Sequence, residues 1–305
     1  MGKNRSIFQQ FNNAINNCFK EGMDKHADKA NDQTLNEKIY SYSSMNNLKD
    51  FAKNLSNYIK ENYPDTKRLG DIKEEQLQNF LNYKNEKGCS QNTLDLYKSN
   101  LNKLEMVVNK TYSSVNWDFK NTVETPASIK EFDSNRGTNS VISREDYNKI
   151  LEYCRENRST SGDAILLQNG LGVRVEELAQ IKLSNIDLNK NRIVLDNTKG
   201  GKELIREMTQ EVRKIICERI NNTTNNKIIS IKSDSINAQL RRIEDRLGID
   251  RHSVHDIRRL IAQEKYDSYR EEGYSKKEAL EKTSKWLNHV GPREHMITKS
   301  YINIR

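Results

Sequence analysis

The apolar positions of the first hundred or so residues fall into four stripes at helical spacing. Phe8, Phe11, Ile15, Cys18 and Phe19 recur every three or four positions, which predicts an amphipathic helix from Ser6 to about Ala30. Leu48, Phe51, Leu55 and Ile59 mark a second helix from about Met45 to Tyr63, and Pro64 stops it because proline cannot continue the hydrogen-bond ladder. A third, from about Lys73 to Glu86, carries Leu77, Phe80 and Leu81. Gly88 breaks the chain, Ser90 offers an N-cap, and a fourth helix carries Leu94, Tyr97, Leu101, Leu104 and Val108. Four such stripes predict a compact helical unit.

The periodicity disappears between about Ser114 and Val141, where Pro126, Gly137 and several Ser, Thr and Asn residues occur. The expected organisation is a helical domain at residues 1–113, a linker at 114–141 and a second domain at 142–305. Ser143-Arg-Glu-Asp146 resembles a capping box that opens a helix to about Asn157. The clear β signal is Arg192 to Asp196 and Glu203 to Met208 around the glycine-containing turn from Thr198 to Lys202. The predicted fold class is therefore mainly α with a small β-hairpin or sheet, the second domain being α+β.

Composition adds a direction. The 305 residues suit two domains. With 34% hydrophobic and 31% charged residues, the chain must fold through amphipathic helices under a very polar surface. The net charge of +8 suits a polyanionic partner, although a solvated basic surface would give the same sum. Residues 1–140 hold 20 Lys and Arg against 18 Asp and Glu, and residues 141–305 hold 31 against 25, so the excess lies mainly in the second domain. Cysteines 18, 89, 154 and 217 form no Cys-x-x-Cys pair, which argues against a zinc ribbon or a disulfide framework and fits a reducing cytoplasm. No apolar run approaches the ~20 residues of a membrane span, and Met1 to Lys20 lacks the uninterrupted apolar core of a signal peptide. A soluble cytoplasmic protein is expected.

Candidate chemistry concentrates in the second domain. In the run from Asn169 to Asp187, Gly170 and Gly172 allow a tight turn before Arg174, while Leu178 and Ile181 anchor the next helix in the core. That would hold an arginine fork rigidly at a helix start; an exposed arginine beside an ordinary N-terminal glutamate is the plainer alternative. His255 and Arg258, three positions apart in Val254-His-Asp-Ile-Arg258, share one helical face and can point at one phosphate. His252 and His255 could instead bind a metal, but no cysteine is near and no third ligand is evident.

Taken in order, these segments resemble the tyrosine recombinases, the phage integrase family. Gly-x-Arg174-x-x-Glu177-Leu followed by Asn-Ile-Asp187 resembles the family's first arginine box, with Gly172 and Val173 standing where the family passes straight from Leu to Arg. Thr198-Lys199-Gly200 resembles the β-hairpin lysine, with Lys202 as the alternative. His255 to Arg258 resembles the His-x-x-Arg box. Trp286-Leu-Asn-His289 resembles the Leu-Gly-His box with Asn288 in place of glycine, and Met296 to Ile302 resembles the nucleophile segment around Tyr301. His289 and Tyr301 are 12 positions apart, more than the family's usual nine or so. Residues 45–111 also resemble, less specifically, the family's helical core-binding domain.

The resemblance implies a metal-free and cofactor-free DNA strand transferase encoded by a bacterium, a phage or a mobile element. Arg174 and Arg258 would hold the non-bridging phosphate oxygens, His255 would take the proton of Tyr301, and Lys199 would protonate the departing 5′ oxygen. His289 would hydrogen-bond a phosphate oxygen, Glu177 would position the arginines, and the product would be a 3′-phosphotyrosyl bond. It further implies a two-domain C-shaped DNA clamp, monomeric when free, with four protomers pairing two double-stranded recombination sites and accessory DNA-bending proteins as further partners. A relaxing topoisomerase, a telomere resolvase and a catalytically idle DNA-binding regulator remain alternatives. Four residues follow Tyr301 in this sequence, so protomer coupling is expected through another segment, residues 6–30 being the candidate.

Overall fold

The computed structural model describes residues 5–22, 28, 38–131, 141–198, 202–222, 226–289 and 294–304. The chain divides into two compact units, Met1–Phe132 and Asp133–Arg305.

The first unit holds α1 (Ile7–Asn17), α2 (Tyr42–Asn62), α3 (Glu74–Glu86) and α4 (Gln91–Thr111). A reciprocal box opens α1: the Gln9 N–H donates to Ser6 Oγ and the Ser6 N–H to Gln9 Oε1. Such a cap stabilises a helix by about 1 kcal/mol. The helix expected to reach Ala30 instead ends at Asn17. There the Ile39 N–H donates to the Cys18 carbonyl at 3.0 Å and Phe19 bridges Ile39, so a non-local extended pairing takes over from the helical stripe. Of the remaining predicted stretch, residues 23–27, 29 and 30 lie outside the described residues. Helix α2 starts about a turn earlier than its apolar stripe, because Ser41 caps it through the Ser44 N–H. Ser90 stands at the N-cap of α4, but its hydroxyl meets Thr93 Oγ1 at 3.0 Å instead of a backbone N–H.

The apolar stripes meet in one core that includes Phe11, Ile15, Leu55, Phe80 and Leu104. Residues 114–131 are irregular and yet packed. Trp117 is buried, edge-on to Phe11, with its indole N–H donating to the Leu69 carbonyl. Asn109 bonds both the N–H and the carbonyl of Trp117 at 2.8 Å, and Glu105 accepts from the backbone of Phe119 and Lys120. Side chains here satisfy backbone groups that no ladder serves.

The second unit holds α5 (Arg144–Glu156), α6 (Thr160–Leu171), α7 (Val175–Leu178), β1 (Ile186–Asp187), β2 (Arg192–Thr198) and β3 (Lys202–Glu207). After these come α8 (Gln210–Asn222), α9 (Ser233–Leu247), α10 (Val254–Glu271), α11 (Lys276–Trp286) and α12 (Glu294–Ser300). Helix α6 is apolar around most of its circumference and is accordingly central, packed by α5, α8, α9 and α10. Ser143 caps α5 through the Asp146 N–H, while the Asp146 carboxylate accepts from the Ser143 hydroxyl, not from its backbone.

The three strands form one antiparallel sheet in the order β1-β2-β3, with Ile193 opposite Arg206 and Leu195 opposite Leu204. The predicted hairpin is present; β1, only two residues long, has no alternation to betray it. Ile193, Leu195, Leu204 and Arg206 lie on the buried face while Ile205 is exposed. A smaller apolar cluster joins α10, α11 and α12 through Ala262, Tyr266, Leu280, Leu287, Ile297 and Tyr301. Among the described residues no helix is long and apolar enough to cross a membrane.

Candidate active site

Three segments converge on Tyr301. The first begins where α6 ends at Gly172, whose φ of +56° lies in the left-handed region that favours glycine. A Cβ there would stand 2.2 Å from Cη2 of Trp286, so backbone conformation and packing both demand glycine. Val173 is buried, and Arg174 follows in an extended conformation as the N-cap of α7. Glu177 accepts from the Arg174 backbone N–H at 2.8 Å and from Nη1 at 2.7 Å, locking fork and backbone together. The Gly-Val insertion is thus a helix cap followed by a core anchor.

The second segment is the start of α10. Ser253 donates its N–H and its hydroxyl to the Asp256 carboxylate at 2.7 Å each, fixing the first turn. One turn further in, Arg258 is fully buried. Its Nη2 donates to the Leu287 carbonyl at 2.7 Å, while Nε and Nη1 are buried without a partner among the described residues. Burial pushes its pKa down to about 10, with nearby Arg174 adding to the fall and Tyr301 opposing it. It remains a cation at neutral pH.

The third segment carries His289 and Tyr301. The ring of Tyr301 is buried and lies edge to face between two imidazoles, with centroids 5.3 Å from His255 and 5.3 Å from His289. The Arg258 guanidinium carbon lies 5.9 Å from the same ring centroid. Arg259 steadies the turn by donating Nε to the Ser300 carbonyl, and is itself paired with Asp256.

Arg206 has no counterpart among the sequence candidates. Its Nε donates to the Leu171 carbonyl at 2.9 Å and its Nη2 to the Trp286 carbonyl, while the guanidinium covers the Trp286 ring at 4.6 Å. Burial, then the neighbouring Arg258, push its pKa down to about 10, and Glu177 opposes this. Its signal was an arginine at an inward position of the Leu204-x-Arg206-x-Met208 alternation. Asn288 adopts φ +57°, which suits an asparagine where the resemblance expected glycine. Its Nδ2 donates to Thr198 Oγ1 at 2.7 Å.

Arg174, Glu177, His255, Arg258, His289 and Tyr301 thus share one neighbourhood; Lys199 lies outside the described residues. His252 has a different partner: Glu244 Oε1 accepts from its backbone N–H and lies 3.3 Å from its Nδ1. Among the described residues no group of three His, Cys, Asp or Glu could hold a metal ion. The other tyrosines near the end of the chain have their own contacts, Tyr269 and Tyr274 facing each other and Lys282.

Burial, reinforced by Arg259 and Arg258, pushes the His255 pKa down to about 4. The sign follows from the unfolded chain, where a histidine titrates near ~6.5. The stability that depends on a neutral His255 is complete above that value and is lost as pH falls through about 4. In an NMR titration of the free protein the His255 ring resonances are expected to stay flat from about pH 7.5 to 5.5. A midpoint near ~6.5 would mean that the ring is open to water.

The phage integrase family matches residues 140–269, a stretch that contains Arg174, Glu177, Lys199, His255 and Arg258 and stops short of His289 and Tyr301. Tyrosine recombinase XerA of Saccharolobus solfataricus is 31% identical over 103 residues, 33% of this chain and 35% of the relative, so the match spans about a third of that protein. Among solved structures, a lambda integrase dimer bound to a COC′ core site aligns with TM-score 0.63 and 15% identity, covering 85% of this chain and 72% of that one. XerH site-specific recombinase in a post-cleavage complex with palindromic difH aligns at TM-score 0.62 and 17% identity, covering 98% and 91%. The Tn1549 transposon integrase in complex with a circular intermediate DNA aligns at 0.62 and 12%, covering 98% and 96%. At these identities the structural likeness speaks for the fold. Residues 140–269 match the phage integrase family, and within that stretch lie the two arginine boxes of the site.

Proposed function

We propose that the chain is a site-specific DNA recombinase that cleaves and rejoins strands through a 3′-phosphotyrosyl intermediate. The observation that carries this reading is the phenol of Tyr301 held between two histidines beside a buried arginine with two uncommitted donors. A buried cationic donor without a partner is costly, and a phosphodiester oxygen relieves that cost. Arg174 and Arg258 would grip the two non-bridging oxygens, where the transition state gathers charge. Tyr301 Oη forms the bond to phosphorus as the bond to the 5′ oxygen breaks. The phenolic proton goes to His255, Lys199 protonates the departing 5′ oxygen, and His289 hydrogen-bonds a phosphate oxygen.

His255 is neutral at pH 7 and so has a lone pair to offer, but its burial makes it a weak base in the free protein. The charge of an arriving phosphate raises its proton affinity, so the base gains strength as substrate arrives. In the same reading the first unit, to which the packed strap at 114–131 belongs, grips the duplex, and residues 142–305 perform the chemistry. Four protomers act together on two double-stranded sites, in the cytoplasm.

Incubating the protein with nicked duplexes from its native locus, in EDTA, is expected to give a covalent protein–DNA adduct on denaturing gels, because arginines and a lysine do the work that metals do in many nucleases. Loss of the adduct in EDTA and its return with magnesium or zinc would overturn the mechanism. Exchange of strands between two sites, as opposed to relaxation of one, separates a recombinase from a topoisomerase.

A further inference from the structure

Asn288 stands where the resemblance expected glycine, and its backbone explains only half of that exchange. Glycine would adopt φ +57° at least as readily, so the left-handed position does not itself call for a side chain. The amide has a separate partner, the hydroxyl of Thr198, 90 positions earlier in the chain and 2.7 Å away. Thr198 is buried and ends β2, immediately before Lys199. Asn288 immediately precedes His289. One hydrogen bond therefore joins the residue next to the candidate general acid to the residue next to a candidate phosphate ligand.

The sheet is irregular at that place. Pairing between β2 and β3 is regular from Arg192 to Leu195 and then shifts, resuming only at Thr198 opposite Lys202. Beyond Leu195 the ladder contributes less to holding the strand end than it does before it. A lysine has a long stem and a point charge, so its reach is set largely by where its backbone is held. Thr198 also lines one cavity of about 280 Å³ with Glu177, which puts the braced strand end beside the Arg174 network.

We infer that Asn288 is a positioning residue for strand cleavage: its hydrogen bond to Thr198 holds the end of β2 so that Lys199 delivers its proton to the leaving 5′ oxygen. The inference rests on the reading of Lys199 as general acid. It predicts a lesion of a specific kind, since a fault in proton delivery vanishes when the leaving group needs no proton.

The experiment compares single-turnover cleavage of ordinary DNA with that of a 5′-bridging phosphorothiolate, whose sulfur departs unprotonated. Asn288→Gly keeps the left-handed backbone and Thr198→Val keeps the branched shape, so neither demands refolding. Each is expected to slow cleavage of ordinary DNA by about tenfold and to lie within about twofold of the parent on the phosphorothiolate. The double variant should be no slower than either single one, because both remove the same bond. Thr198→Ser, which keeps the hydroxyl, should cleave like the parent. Equal losses on both substrates, or losses that multiply in the double variant, would overturn the tether. Lys199→Ala run alongside separates the two ideas: if it is rescued and Asn288→Gly is not, the tether alone fails, and if it is not rescued, the general-acid reading fails and takes the tether with it.

Discussion

Tyr301→Phe is expected to bind DNA as the parent does and to form no covalent adduct, a loss on the order of 10⁴-fold or more in cleavage. The ring carries the packing: it sits in the cluster with Leu287, Ile297 and Ile302, meets both imidazoles edge to face, and lies beside the Arg258 guanidinium. Phenylalanine keeps all of these contacts and lacks only the oxygen that would attack. The measurement is a denaturing gel of a nicked suicide substrate beside a binding titration. An adduct from the Phe variant would move the nucleophile to Tyr266, Tyr269 or Tyr274.

Arg258→Lys is expected to slow cleavage at saturating DNA by at least about 10²-fold. Arg258 spends one arm on the Leu287 carbonyl, and its Nε and Nη1, buried without a partner among the described residues, are the donors that the proposed reading gives to the phosphate. An ammonium is a single point and cannot do both at fixed angles. The variant should also unfold at lower temperature, because the fully buried position would then hold a charge more strongly hydrated than guanidinium. Binding should change far less, since most of the affinity comes from phosphates elsewhere on the duplex. A cleavage rate within a few-fold of the parent would remove Arg258 from the site.

What could be read from the sequence was whatever local periodicity or local spacing encodes. The stripes of α2, α3 and α4, the hairpin from Arg192 to Glu207, and the pairing of His255 with Arg258 across one turn all depend on neighbours within a few positions. The end of α1 is not legible locally, because a bridge to Ile39, some twenty positions on, takes over there. The irregular strap at 114–131 carries no period, although Trp117 and Val123 are core residues. In the site, Gly172 reads as an insertion in the sequence because Trp286, which stands against it, lies 114 positions later. Arg206, and the partner of the Asn288 amide, are illegible for the same reason: each acts on carbonyls or hydroxyls that only the fold brings within reach.

The carbonyls of Trp286 and Leu287, consecutive at the end of α11, are held by two different buried arginines, Arg206 and Arg258. Arg206 also holds Leu171, three residues before Arg174. Both arginine boxes and the approach to His289 are therefore bolted to one helix terminus, whose partial negative charge favours the two cations. Such a joint couples its parts: a displacement of the end of α11 is shared by Arg206 and Arg258 and, through the Leu171 carbonyl, by the approach to Arg174.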